Sequence, residues 1–163
     1  GEILSKIMME DTLTNLVMPR FFTVYGPYGR PDMAYYKFCN QIKKGEMIKV
    51  FNMAKHKRSF TYIDDAVNNL YQILKKSNKI NTLETPVVNI GNPKTITLTK
   101  FISILEKKLL KKSNKKFLKR QPGDVLETRA IINFEKKKLK LLFKTELEEG
   151  INNFVNWHNN YHK

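Results

Sequence analysis

The sequence predicts an α/β fold, and three observations carry that prediction. Short apolar runs rich in β-branched and aromatic residues, at 15–24, 47–51, 60–63 and 86–90, alternate with longer segments whose apolar residues fall at helical spacing. Glycine and proline gather between these segments, most densely at 26–31 and 91–93, where they end regular structure. No segment repeats along the 163 residues, which excludes a solenoid. A chain of this length makes one domain or a piece of a larger one.

Each element has its own warrant. Ile3, Ile7 and Met8 place a helix over 2–14, and 15–24 reads as one buried strand with Pro19 in its first half. Two glycines and two prolines within Gly26-Pro27-Tyr28-Gly29-Arg30-Pro31 require a loop, and a loop of this length usually carries function. Tyr36, Phe38, Cys39 and Ile42 predict a helix over 33–44, closed by Gly45. A strand at 47–51 and a polar turn at 52–58 follow. Residues 60–63 read as extended, with Asp64 or Asp65 capping a helix to about Lys76 whose apolar face is Ala66, Val67, Leu70, Ile73 and Leu74. After the strand at 86–90, Thr97 or Thr99 caps a helix through Phe101, Ile104, Leu105 and Leu109. Lysines at 111–116 read as a basic linker, 117–119 as a short strand and 121–124 as a turn. Helices over 139–143 and 147–161 finish the chain, the last burying Ile151, Phe154, Val155 and Trp157.

Composition narrows the function. With 41% hydrophobic and 28% charged residues the chain reads as a soluble globular protein, with neither a membrane span nor a signal pattern, so a cytoplasmic location is the expectation. A single cysteine, Cys39, excludes an internal disulfide and reads as a small buried apolar group. A net charge of +15 points toward polyanions, yet five of the thirty basic residues are arginine and the rest are lysines in short runs, a pattern of solvated helix faces rather than of nucleic-acid readers. His56, His158 and His162 stand isolated and read as solvated side chains. No nucleophile triad, HExxH, P-loop, CxxC or glycine-rich dinucleotide turn occurs in these residues.

Four blocks in order carry a resemblance. They are Arg20-Phe21-Phe22-Thr23-Val24-Tyr25-Gly26-Pro27 with Gly29-Arg30-Pro31-Asp32-Met33-Ala34; Arg58-Ser59-Phe60-Thr61-Tyr62-Ile63-Asp64-Asp65; Val88-Asn89-Ile90-Gly91-Asn92; and Gln121-Pro122-Gly123-Asp124-Val125 with Glu127-Thr128. Together they resemble the extended short-chain dehydrogenase/reductase family, that is, NAD-dependent epimerases and dehydratases, in the branch of the UDP-glucuronate 4-epimerases. The resemblance extends through Glu149-Gly150-Ile151 and Phe154-Val155-Asn156-Trp157. It implies the carboxy-terminal part of a Rossmann-like parallel sheet plus a small mixed α/β substrate domain. Residues 1–30 would be the last helix and strand of the cofactor-binding domain, and 31–163 the nucleotide-sugar domain, with some segments returning to the sheet. A parallel strand at 15–24 without preceding strands would expose an apolar edge, so marginal stability is expected.

In the family, bound NAD oxidises the sugar at C4 and returns the hydride to the other face, with a Tyr-x-x-x-Lys pair as base. That pair and the glycine-rich loop do not occur in these residues; the one formal match, Tyr71 with Lys75, falls in the wrong segment, and Tyr25, Tyr28, Tyr35 and Tyr36 are no substitutes. The resemblance implies six substrate-binding residues. Thr23 would meet the sugar, and Arg30 with Arg58 the diphosphate through guanidinium forks. Asp124 would touch the nucleotide end, Phe51 would lie along the uracil and Lys37 would add a phosphate contact. The family is homodimeric. The expectation is therefore a UDP-sugar-binding piece of an epimerase, inactive alone and binding substrate only when a separately supplied amino-terminal half holds NAD. A related 4,6-dehydratase or decarboxylase and a basic polyanion-binding module stand as alternatives. The chain departs from the family at Arg129-Ala130-Ile131 and Lys144-Thr145.

Overall fold

The computed structural model describes residues 1–9, 12, 15–77, 87–133 and 135–162. In chain order they form α1 (Glu2–Met9), β1 (Met18–Phe21), β2 (Thr23–Tyr25), α2 (Ala34–Lys44), β3 (Met47–Phe51), β4 (Lys57–Arg58), β5 (Phe60–Tyr62), α3 (Ile63–Lys76), β6 (Val87–Ile90), β7 (Ile96–Thr97), α4 (Leu98–Leu109), β8 (Asn114–Leu118), β9 (Glu127–Thr128) and α5 (Leu147–Tyr161). The architecture is α/β with mainly parallel pairing, as the alternation predicts. Of the predicted first helix, residues 10, 11, 13 and 14 lie outside the described residues, as does Pro86 at the start of the strand at 86–90.

The predicted single strand at 15–24 is two. β1 runs parallel to β6 with Met18 opposite Val87, and β2 runs parallel to β5 with Thr23 opposite Phe60. The switch falls at Phe22, whose N–H still donates to the Ile90 carbonyl at 3.1 Å before the chain passes to its second partner. Such a strand satisfies its backbone with two different neighbours, which periodicity along one strand does not encode. A third parallel pair joins β3 to β8, Met47 opposite Asn114, and β4 lies between antiparallel β7 and parallel β9.

The basic linker expected at 111–116 is therefore strand from Asn114 onward. One of its four lysines is neutralised by Glu106 on α4, which accepts from Lys115 Nζ at 2.6 Å and from the backbone N and hydroxyl of Ser113 at 2.7 and 2.6 Å. Burial alone would raise the Glu106 carboxyl; the Lys115 and Ser113 donors outweigh it and hold the group below its ordinary value.

Two further expectations need correction on α3. Neither Asp64 nor Asp65 caps it: the N-cap is Tyr62, without a side-chain bond, and the buried Asp65 carboxylate instead accepts from the Thr145 backbone N at 3.0 Å. The buried face is Asp65, Ala66, Asn69 and Ile73, whereas Val67, Leu70, Tyr71 and Leu74 form an exposed apolar stripe. The rotation has a cause in residues 139–143. Expected as a helix, they are irregular after a π turn over Glu135–Leu139, and Leu139 and Leu141 are buried while Lys140 and Leu142 are exposed, a period of two. Asn69 holds this irregular stretch by its backbone, donating to the Leu142 carbonyl at 2.7 Å and accepting its N–H at 2.9 Å. A polar residue thus occupies the face that helical periodicity assigns to apolar ones.

The helix α4 is capped by Thr97, which accepts from the Lys100 N–H at 3.3 Å, and α2 is closed by Gly45 at φ 76°. The main core lies among α2, β3, α4 and α5, centred on Ile42, Ile48, Val50, Phe101, Ile151 and Phe154. Cys39 is fully buried there, and that burial pushes its thiol up to about 11 despite nearby Lys43. A second core joins Ala66 and Ile73 to Val88, Ile90, Leu139 and Leu141. No helix among the described residues is long and apolar enough to cross a membrane.

The polar turn after β3 is left-handed. Asn52, Met53 and Ala54 have φ of 50°, 52° and 58°, a conformation that costs an L-residue roughly 1–2 kcal/mol. Met53 is exposed, so its side chain returns little packing for that strain. Met53→Gly is expected to raise stability by about 1 kcal/mol in urea unfolding, the relief of strain exceeding the added flexibility of the unfolded chain. An unchanged or lower midpoint would mean the turn relaxes at no cost.

Candidate functional site

Residues of β2, β3, β4 and β5 and of the first turn of α2 line a cleft of about 690 Å³. Thr23 enters it from the start of β2, Phe51 from the end of β3 and Arg58 from β4. Met33, Ala34 and Lys37 come from the start of α2, and Gln121 and Asp124 from the turn between β8 and β9. Five of the six residues singled out in the sequence, Thr23, Lys37, Phe51, Arg58 and Asp124, therefore line one cavity, although they are spread over a hundred residues of chain.

Arg30 is not among them. It borders a neighbouring hollow of about 300 Å³ beneath the Gly26–Arg30 loop, and its guanidinium is paired with Asp32 through Nε at 3.0 Å and Nη2 at 2.5 Å. Asp32 itself lines the main cleft, so Arg30 stands one residue behind the cleft wall.

The cleft suits a ligand with an anionic middle and a flat apolar end. Lys37, Lys49 and Arg58 supply positive charge, and the start of α2, whose N-cap Met33 makes no side-chain bond, adds the positive end of a helix dipole. Arg58 is held in place by its own strand region, Nη1 donating to the Lys57 and Leu126 carbonyls at 2.9 and 3.4 Å. Phe51 and Phe60 give flat apolar surfaces, and Phe60 is backed by Phe101 in a stacked pair at 4.5 Å. The floor is dense: β2 and β5 press against α5, so that a Cβ on Gly150 would collide with the Tyr25 hydroxyl.

Sequence reading misses His56. It was expected to be solvated, as was His158, yet both are buried, at 7% and 2% exposure. His56 lines the cleft two residues before Arg58. A period of two along β4 places both on one face, and that was the available signal. His158 sits on α5 with Nε2–H donating to the Asn40 side-chain oxygen at 2.7 Å and Nδ1 accepting from Lys43 at 3.2 Å. Among the described residues no group of three His, Cys, Asp or Glu side chains is placed to hold a metal ion.

Residues 1–91 match the model of the NAD dependent epimerase/dehydratase family. The chain belongs to that family. It is 46% identical over 138 residues to an uncharacterized protein of Methanocaldococcus jannaschii, and 37% identical over 155 residues to UDP-glucuronate 4-epimerase 4 of Arabidopsis thaliana. These alignments cover 85% and 88% of this chain but 41% and 36% of the relatives. The crystal structure of UDP-glucuronic acid 4-epimerase from Bacillus cereus, in complex with UDP-glucuronic acid and NAD, superimposes on 99% of this chain with a TM-score of 0.89 at 31% identity, and half of that chain is covered. The chain thus spans about four tenths of these curated relatives and half of the solved epimerase.

The epimerase family uses NAD, and the described residues do not fit it. A pyrophosphate sits at a glycine-rich strand-to-helix junction on the positive end of a helix. Of the two direct strand-to-helix junctions among the described residues, β5 into α3 carries Asp64 and Asp65 in the first helical turn, which would repel it, and β7 into α4 carries no glycine. Four buried tyrosines are also ill suited to act as a phenolate base. Burial is the main cause that pushes Tyr25, Tyr35, Tyr36 and Tyr62 above the ordinary tyrosine value, opposite to what proton abstraction requires.

Proposed function

We propose that these residues form the nucleotide-sugar-binding part of a UDP-glucuronate 4-epimerase, and that hydride transfer needs an NAD-binding half supplied by other residues. One observation carries the reading: Thr23, Lys37, Phe51, Arg58 and Asp124 converge on a single cleft with a cationic middle and an aromatic wall. In the proposed complex Arg58 and Lys37 neutralise the diphosphate at the start of α2, Phe51 lies along the uracil, Thr23 meets the sugar, and Asp124 meets the nucleotide end. Arg30 takes part by exchanging Asp32 for a phosphate oxygen, so its contribution is the smaller of the two arginines.

The surface supports a covering half. Ile3, Leu4, Ile7 and Met8 on α1 and the α3 stripe of Val67, Leu70, Tyr71 and Leu74 are apolar and exposed, and among the described residues β1 pairs with β6 alone. Apolar surface of this extent is usually covered. In this reading residues 1–30 belong to the cofactor-binding layer, 31–163 to the substrate domain, and β5 and β6 return to the sheet beside β2 and β1. The α1 stripe is where a family homodimer would pack.

Isothermal calorimetry with UDP-glucuronate, on the chain with and without a co-expressed amino-terminal half of a family epimerase, tests this. Binding and C4 epimerisation are expected in the complemented sample, and Arg58→Ala should weaken binding about thirtyfold through the loss of a charge-assisted contact. A complemented sample that stays silent while the chain alone binds polyanions at low salt would favour the basic binding module instead.

A further inference from the structure

One polar atom facing the cleft region is left without a partner. His56 Nε2 is buried and makes no hydrogen bond, in a side chain only 8% exposed. Its closest carboxylate is Asp124, with Oδ2 at 3.8 Å. A buried ring nitrogen at that distance from a carboxylate is neither bonded nor solvated among the described residues, a costly state that calls for a partner.

The surroundings decide which of the two groups moves. The backbone of His56 is clamped, its carbonyl accepting from the Leu98 N–H at 3.0 Å where α4 begins. Asp124 lies in a four-residue turn with Gly123 at φ 81°, and its own side chain is 32% exposed. The main chain of that turn is engaged by other residues. Arg120 Nε and Nη2 donate to the Asp124 carbonyl at 3.1 and 2.6 Å, and the Asp124 N–H donates to the Gln121 carbonyl at 3.2 Å. The carboxylate is thus the one part of Asp124 left for the cleft, and closing by about 1 Å brings it within a charge-assisted hydrogen bond of the imidazole.

We propose that His56 is a positioning residue for the nucleoside end of the ligand: when the ligand seats, the Gln121–Asp124 turn closes, His56 donates to one Asp124 oxygen, and the other oxygen accepts from the nucleoside. This rests on the nucleotide-sugar reading above. A carboxylate only accepts, so Asp124 has no favourable contact with a diphosphate and must meet O–H or N–H donors of the ribose or base. The imidazole fixes which oxygen is presented and in which direction. The effect of His56 is therefore confined to the nucleoside and absent for the phosphates alone.

The test uses the chain co-expressed with an NAD-binding half, and titrates UDP and inorganic pyrophosphate in parallel. His56→Phe keeps the ring shape and removes the donor; it is expected to weaken UDP about tenfold and leave pyrophosphate unchanged, while His56→Gln, which keeps an N–H, restores most of the loss. In an Asp124→Ala background, His56→Phe should have no further effect on UDP. Equal losses for UDP and pyrophosphate, or equal UDP affinity in wild type and His56→Phe, would overturn the proposal. A wild-type sample that binds pyrophosphate but shows no preference for UDP would overturn the nucleotide-sugar reading itself, and the role of His56 with it.

Discussion

Replacing Phe101 with alanine is expected to lower the unfolding free energy by about 4 kcal/mol, the range for emptying a fully packed aromatic site. Phe101 is 1% exposed, stacks on Phe60 and stands edge-on to Tyr25 at 6.3 Å. Three elements meet at that ring: α4, which carries it, β5 through Phe60, and β2 through Tyr25. Deleting it leaves a void that strands cannot fill, because their hydrogen-bonded register prevents them from closing inward. Because Phe60 lines the cleft, a second effect follows. Ligand affinity at the aromatic wall should fall along with stability, whereas Phe101→Leu should retain most of both. Urea unfolding checks the first part; a loss under about 2 kcal/mol would mean that the core collapses onto the gap.

Acid should weaken the protein through His158 by about 3 kcal/mol in total. Burial, and secondarily the Lys43 and His162 charges, holds this imidazole down at about 4, against 6.5 for an exposed histidine. The neutral ring is required by its contacts, since Nδ1 must offer a lone pair to Lys43. Below about pH 6.5 the unfolded chain takes up a proton at His158 that the folded chain refuses. Stability therefore falls by about 1.4 kcal/mol for each pH unit down to about pH 4 and levels off below, where both states are protonated. Above pH 6.5 this contribution is fully present. Urea unfolding of wild type and His158→Gln at pH 7, 5.5 and 4 tests the sign and the window: the variant should start less stable and lose less. Parallel curves would assign the acid sensitivity to other groups.

Both predictions depend on side chains whose importance periodicity states unequally. Phe101 lies on the apolar face that spacing assigns to α4, next to a recognisable cap at Thr97. His158 looks like a polar residue near a terminus, and nothing local distinguishes it from a solvated one. Its burial is set by α2, more than a hundred residues earlier, which brings Asn40 and Lys43 to its two nitrogens. His56 is similar, because the turn that holds Asp124 arrives from β8 and β9.

What the sequence determined alone is what local chemistry can encode. Gly45 ends α2 because its φ is positive, Thr97 starts α4 because its hydroxyl accepts a free helical N–H, and β-branched runs become strands. The four ordered blocks also contain three of the five predicted cleft residues, Thr23, Arg58 and Asp124, which are held on strands and a turn that local signals mark well. Only the tertiary structure decided the rest. It split 15–24 between two partners, placed Lys115 and Lys116 in a strand with Lys115 paired to Glu106, and bonded Leu142 to Asn69. It also set Arg30 behind Asp32 rather than in the cleft. For the split strand and the Asn69 contact, a backbone group is satisfied by a residue distant in sequence, and hydrophobic periodicity along one segment contains no record of that partner; Lys115 and Arg30 pair with carboxylates nearby in the chain, which such periodicity does not mark either.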